Sequence, residues 1–269
     1  MALKQSLEKN GLFLFRYRGQ IPAIIFLLGL PFVYCSYFTP AYFETEKLIG
    51  VDCINTYFLV LTVVGILVSL SGIVLRAYTI GSTPKGTSGR NTKEQVANEL
   101  NTKGIYSTVR HPLYVGNYLM WAGLLIFIGN ASLFIIISLL YWIYYERIMF
   151  AEECFLEKQF GQKYIDWSMK VPAFIPCFRK FEKGNMTFSF KAVLRREYAG
   201  FFAMALCFVF MDYLRAYGIY SLQSGAFSFE SFEWLRPSLW CLFAAAFITL
   251  LLRTLKHHTK ILDAESDRD

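Results

Sequence analysis

PLYVGNYLMWAGLLIFIGNASLFIIISLLYWIYYERIMF, residues 112–150, is the stretch that decides the fold. It holds two apolar runs, 112–129 and 132–150, separated only by Gly129-Asn130-Ala131. A link that short between two long apolar segments forces them back to back as an antiparallel helical hairpin. Each run is about 27 Å long as a helix, close to the ~30 Å of a bilayer's hydrocarbon. Pro112 stands where the first helix begins, a position at which the missing N–H costs nothing.

Four further runs of the same character flank the hairpin, at 21–39, 55–79, 198–218 and 237–255. The whole chain of 269 residues is 55% hydrophobic and 17% charged, with a mean hydropathy of +0.38. Soluble domains carry about a quarter charged residues, so this balance excludes disorder, fibrous repeats and most soluble enzymes. Its 26 Phe and 17 Tyr suit lipid contact and the membrane interface. The expected fold class is therefore all-α: a polytopic membrane protein of about six transmembrane helices around a helical-hairpin core. Residues 1–54 supply one span and an outer loop, 55–177 the core, and 178–269 a basic inner segment, two more spans and a polar tail. The run at 21–39 lacks a small-x-small cleavage site and is longer than a signal-peptide core, so it reads as a retained span.

Lysine and arginine set the orientation. With the N-terminus inside, 24 of the 27 basic residues fall on inner segments, and only Lys47, Arg215 and Arg236 face outward. This asymmetry predicts both termini in the cytoplasm, in a bacterial inner membrane or an endoplasmic reticulum. The net charge of +7 is then a positive-inside signature. Its contact is the anionic surface of the lipid bilayer, and nucleic acid is not an expected partner. Oligomeric state is not legible. The six cysteines are scattered with no C-x-x-C, so neither a disulfide framework nor a metal site is expected. Gly81–Gly86 has P-loop-like spacing without the following lysine, and His257-His258 sit on a basic tail as solvated interface residues.

Equal hairpin arms return to the same membrane depth. Arg110-His111-Pro112-Leu113-Tyr114 should therefore meet Glu146-Arg147 and Glu152-Glu153, some forty positions away. Arginine and tyrosine at a span end commonly serve as interfacial anchors. Glu146, within an apolar helix, is a functional candidate by position, although Arg147 or Arg110 would neutralise it. Taken together, the bases, phenol and carboxylates form a polar site against an apolar wall.

The same residues carry a resemblance. Gly104-Ile105-Tyr106 with Arg110-His111-Pro112-Leu113-Tyr114-Val115-Gly116 resembles the first signature of integral-membrane methyltransferases, the isoprenylcysteine carboxyl and phospholipid methyltransferase group. Glu152-Glu153, Leu156, Phe160-Gly161, Tyr164, Val171-Pro172 and Ile175-Pro176 are similar to its second half. The resemblance covers about residues 60–177 and implies an enzyme that takes a methyl group from S-adenosyl-L-methionine. It implies cofactor contacts at Tyr106, His111, Pro112, Leu113, Tyr114 and Glu152. An upstream cofactor stretch falls on Asn98, Glu99, Leu100 and Asn101, with Asn91 further out. Arg110 would position the acceptor, with Glu153 or Glu146 helping. The cofactor's carboxylate suits a helix N-terminus beside Arg110 and His111, its ammonium suits Glu152, and its sulfonium suits an aromatic face.

The implied substrate is the polar end of a membrane lipid or isoprenoid. Candidates are a lipid phosphate such as that of lipid A, phosphatidylethanolamine, or an isoprenylcysteine carboxylate. No group is evidently dedicated to deprotonating an amine, which favours O-methylation. Two features depart from the family. Ile148 stands where the eukaryotic isoprenylcysteine enzymes have an arginine for the substrate carboxylate, and two spans follow Pro176. A basic rim at Arg179-Lys180, Lys183 and Arg195-Arg196 either anchors the inner face or holds a phosphate-bearing headgroup. The alternative function is an NADPH-dependent sterol or steroid reductase, which carries a similar R-H-P-x-Y pattern. Thr108-Val109 depart from its usual Tyr-Ser or Trp-Ser, and the 80–109 loop holds only Lys85, Arg90, Lys93 and Lys103 for the dinucleotide's phosphates.

Overall fold

The computed structural model describes residues 2–39, 50–84, 97–224 and 232–263, together with Glu44, Leu48 and Gln95. Within them the chain is all-helical: α1 (Leu3–Arg16), α2 (Ile21–Tyr37), α3 (Val51–Gly81), α4 (Pro112–Ile128), α5 (Ala131–Phe160), α6 (Gln162–Ser168), α7 (Phe190–Ser224) and α8 (Pro237–His258). Two 3-10 turns stand at Ile105–Ser107 and Phe178–Lys180. Asn91 lies outside the described residues.

The protein is a multi-pass membrane protein. Among the described residues four helices are long and apolar enough to span: α3 from Asp52, α5, α7 and α8. The α1–α2 pair, bent by 86°, makes a fifth if counted as one span. The count is thus four to five, against an expectation of about six. The difference is α4, whose 17 residues fall short by a turn. Several helices also outrun their apolar segments. α5 continues to Phe160 and α7 begins at Phe190, because tertiary contacts keep the polar ends helical where no apolar run would reveal them.

The hairpin forms as the sequence predicts. Gly129 takes a left-handed φ of 75°, ending α4, and the Asn130 side chain accepts the Leu133 N–H at 2.8 Å to cap α5. The same Asn130 donates to Ser36 Oγ at 2.7 Å, and the Tyr37 hydroxyl donates to the Ile128 carbonyl at 2.7 Å. These bonds tie the hairpin tip to the end of α2. Val33, Tyr37, Leu124, Phe127, Leu133 and Met211 fill the core beneath it.

α3 packs antiparallel on α4 through paired glycines. A Cβ on Gly65 would stand 2.6 Å from the Gly123 carbonyl, and one on Gly72 would stand 2.5 Å from that of Gly116. Ser69, between them, donates to the Met120 carbonyl at 2.8 Å. Small residues one heptad apart let two backbones touch, which is how membrane helices associate without a hydrophobic drive. This seam was readable in the sequence as Gly65-x6-Gly72 and Gly116-x6-Gly123.

α7 is locked to this core by charge. Arg76 of α3 donates from Nε and Nη2 to the two carboxylate oxygens of Glu197, both at 2.7 Å, and from Nη1 to Asn117 of α4. Glu197 is 6% exposed. At the other end of α7, Asp212 accepts from Arg236 at 2.9 Å and Ser238 at 2.7 Å. Arg215 lies 3.3 Å from Asp212 and 4.3 Å over the Phe127 ring.

Replacing Glu197 by Leu leaves the Arg76 guanidinium buried and unpaired, a loss of about 3–5 kcal/mol. Thermal unfolding in detergent should show that loss, and Arg76→Met with Glu197→Leu should recover most of it. Gly72→Leu should cost about 1–3 kcal/mol by forcing the seam apart.

Candidate active site at the base of the hairpin

The segment leading into α4 is laced to the segment that follows α6. Arg110 N–H donates to the Pro172 carbonyl at 2.9 Å, His111 N–H to that of Ala173 at 3.2 Å, and Cys177 N–H to that of Thr108 at 2.9 Å. Gly104 N–H donates to the Glu182 carbonyl at 2.8 Å, from a backbone with φ of 62° that suits glycine. The Trp167 indole donates to the Tyr106 carbonyl at 3.3 Å. Thr108 and Val109 are wholly buried. This lacing gives the two halves of the sequence signature a shared mechanical purpose: the second half fixes the backbone of the first.

Glu152 and Glu153 project from α5 about 100° apart, and each finds its own partners. The Tyr114 hydroxyl donates to Glu152 Oε1 at 2.6 Å. Arg18 stands 3.9 Å from the same oxygen, its guanidinium 4.0 Å over the Phe15 ring. Arg110 Nη1 donates to Glu153 Oε2 at 2.9 Å. His111 lies between the carboxylates, with Nε2 at 2.9 Å from Glu153 and Nδ1 at 3.5 Å from Glu152.

Burial alone would lower the His111 pKa, but the hydrogen bonds and charges of Glu152 and Glu153 outweigh it and raise it above the usual value. The two carboxylates thereby favour the protonated imidazole. Tyr164 sits beside Arg110 and Glu153; burial first, and then the Glu153 charge, raise its phenol and keep it neutral. Arg110 Nε is buried without a hydrogen-bond partner among the described residues. An orphaned donor of this kind fits an oxyanion.

The structure therefore brings together Arg110, His111, Tyr114, Glu152 and Glu153 as the equal hairpin arms predict. Pro112 is fully buried beneath them, and Leu113 and Tyr106 are half-buried. Glu146 does not join. It is exposed, about 10 Å back along α5, and makes no hydrogen bond or ion pair among the described residues. Arg147 instead presents its carbonyl to Gly11. Asn98 and Glu99 are exposed and Leu100 and Asn101 half-buried. They lie on a loop that Gln159 fastens through the Ala97 carbonyl to the end of α5, and none of the four belongs to the charged cluster. Sequence reasoning missed Arg18. It stands in the turn after α1, which packs along the second half of α5, with the Tyr144 hydroxyl on the Leu14 carbonyl at 3.4 Å and Lys158 on Glu8. Gly11, small enough to meet the α5 backbone, was the available signal.

The fold and site define a polytopic helical membrane protein with a charged, half-buried centre at the end of a hairpin. Comparison with known proteins narrows that class. Residues 60–163 match the family described as phospholipid methyltransferase. The chain is 31% identical to the protein-S-isoprenylcysteine O-methyltransferase of Schizosaccharomyces pombe over 114 residues, 40% of this chain and 48% of that one. It is 32% identical to the Xenopus laevis protein of the same name over 125 residues, 44% and 42% of the two chains. It is 26% identical to a probable protein-S-isoprenylcysteine O-methyltransferase of Oryza sativa subsp. indica over 169 residues, 60% and 84%. The chain thus spans less than half the length of the first two relatives. No solved structure matches. Residues 60–163 are thus similar to the phospholipid methyltransferase family, and the relatives matched over this region are named isoprenylcysteine O-methyltransferases.

A histidine whose folded-state pKa is raised stabilises fully below its ordinary value of 6.5, and loses that contribution as pH climbs through the raised value. The melting temperature in detergent should therefore fall as pH rises above about 6.5. His111→Asn should start lower and flatten that slope.

Proposed function

We propose that this chain is an S-adenosylmethionine-dependent methyltransferase that methylates an oxygen at the polar end of a membrane-embedded acceptor, the carboxylate of an isoprenylated cysteine. The observation that carries this is the cluster of Glu152 and Glu153 around His111, with Arg110 Nε buried and without a hydrogen-bond partner among the described residues. The names of the relatives support the acceptor class.

When bound, S-adenosylmethionine supplies an electrophilic methyl carbon. The residues present fit that molecule: a carboxylate for its ammonium, and the Leu113 N–H at the first turn of α4, beside the His111 imidazole, for its carboxylate. Glu152, held by Tyr114 and Arg18, takes the first role. His111 and the Leu113 N–H take the second, Pro112 shaping the turn between them, with Tyr106 and the Asn98–Asn101 loop closing the site. Arg110, fixed through Nη1 by Glu153, directs Nε to the acceptor oxygen. It replaces the arginine that the family carries at the position of Ile148, which here is wholly buried. An acceptor that is already anionic needs orientation and desolvation, and no base is required. Glu146, exposed and apart, is left out of this set. The basic residues crowded around the hairpin's base support a cytoplasmic location for that end and for both termini.

Calorimetry on the purified chain should give saturable binding of S-adenosylhomocysteine and none of NADPH, with Glu152→Gln about tenfold weaker, or ~1.4 kcal/mol. Binding of NADPH alone would turn the assignment to a reductase. Labelled methyl should then pass to an S-farnesylated cysteine, with Arg110→Ala lowering kcat/KM about a hundredfold. Transfer to phosphatidylethanolamine or lipid A instead would keep the enzyme and change the acceptor.

A further inference from the structure

Lined by none of the residues of the charged cluster, a concavity of about 660 Å³ opens between α6, the 3-10 turn at Phe178–Lys180 and the stretch around Ser107. Lys163, Lys170, Arg179 and Lys180 line it. The first three have no side-chain hydrogen bond or ion pair among the described residues, whereas Lys180 donates to the Lys170 carbonyl and so clips the two sides of the cleft together. Two acids also line it. Asp166 accepts the Gln162 amide at 2.8 Å, and Glu182 is held by its backbone to Gly104 and Ser107. Four cations against two anions leave the cleft at +2.

Unpaired cations converging on a cleft of this volume suit a bound anion with several acceptor oxygens. The surroundings say where that anion comes from. Ile175, Phe178 and Phe181, interleaved with the cations, are 79%, 66% and 48% exposed. Large apolar side chains alternating with lysine and arginine beside the ends of spans mark a segment seated in the headgroup layer. Aqueous exposure of that much apolar surface would be unfavourable at about 25 cal/mol per Å².

We propose that this cleft holds the phosphate headgroup of an anionic membrane phospholipid, with Lys163, Lys170 and Arg179 on the phosphate and the Ile175–Phe181 segment against the acyl boundary. The site is separate from the cluster at Glu152 and does not depend on the methyltransferase assignment. Trp167 lines the cleft and holds the Tyr106 carbonyl, so the occupant braces the segment that leads to His111.

Native mass spectrometry of the full chain from detergent tests this, using phosphatidylglycerol, phosphatidylcholine and inorganic phosphate as separate probes. Retention of phosphatidylglycerol over phosphatidylcholine is expected, falling about tenfold in Lys163→Ala/Arg179→Ala. Both side chains are exposed, so the variant should melt like the wild type. Lys4→Ala/Lys9→Ala, equal in charge change and remote from the cleft, should bind as the wild type does. Equal retention of the two lipids, or equal loss in both double variants, would overturn the proposal. Displacement of phosphatidylglycerol by millimolar inorganic phosphate would overturn the lipid as its source. Because no methyl donor enters the experiment, failure here leaves the catalytic assignment untouched, and failure of that assignment leaves this result standing.

Discussion

Two adjacent carboxylates at the edge of a membrane cannot both stay charged without donors close by, and much of this structure is arranged to supply them. Glu157, Lys158 and Gln159, one turn further along α5, are exposed, yet Glu152 and Glu153 are each only about a quarter exposed. One draws a phenol and an arginine; the other draws a second arginine; a single imidazole serves both. Those donors come from three places: the turn after α1, the segment before α4, and the first turn of α4 itself. Satisfying one carboxylate pair therefore fixes the angle of α1, the register of the hairpin and the course of the 104–111 segment together.

The same rule of paired burial explains why α7 and α8 are part of the core. The sequence left open whether the spans after Pro176 shape a lipid path or complete the packing, and the ion pairs favour the second. Arg76 sits where the glycine seam brings α3 against α4, and its two strong partners are Asn117 on one side and Glu197 of α7 on the other. Asn117 in turn meets the Tyr145 hydroxyl at 3.3 Å. Tyr145 stacks on Tyr141, which donates to the Tyr114 carbonyl at 2.7 Å. A continuous line of polar and aromatic contacts thus runs from α7 to the residue that holds Glu152. Two of the three basic residues assigned to the outer side, Arg215 and Arg236, are likewise accounted for by Asp212.

Much of the hairpin and its site was legible because both follow from short-range rules. Gly129-Asn130 can only turn, apolar runs of equal length must end level, and so Arg110–Tyr114 had to meet Glu152-Glu153. Glu146 shows the limit of the argument. It was placed with the other carboxylates because it shares their helix, but seven residues of helix are about 10 Å of depth, and the cluster occupies a narrower band than that. Arg18 shows the opposite error. As one of four basic residues ahead of the first span it read as an anchor, since nothing local says that a helix will fold back at 86° and carry it to Glu152.

By itself the sequence determined the class of the molecule: a helical membrane protein, its hairpin, and the five residues that meet in its charged cluster. These rest on hydropathy, length and turn chemistry, which each segment carries alone. Only the tertiary structure decided which charges pair across distant helices, that a right-angled N-terminal helix completes the site, and that the last two helices belong to the core. Those outcomes depend on desolvation and on backbone approach between segments, and neither is a property of any single stretch of chain.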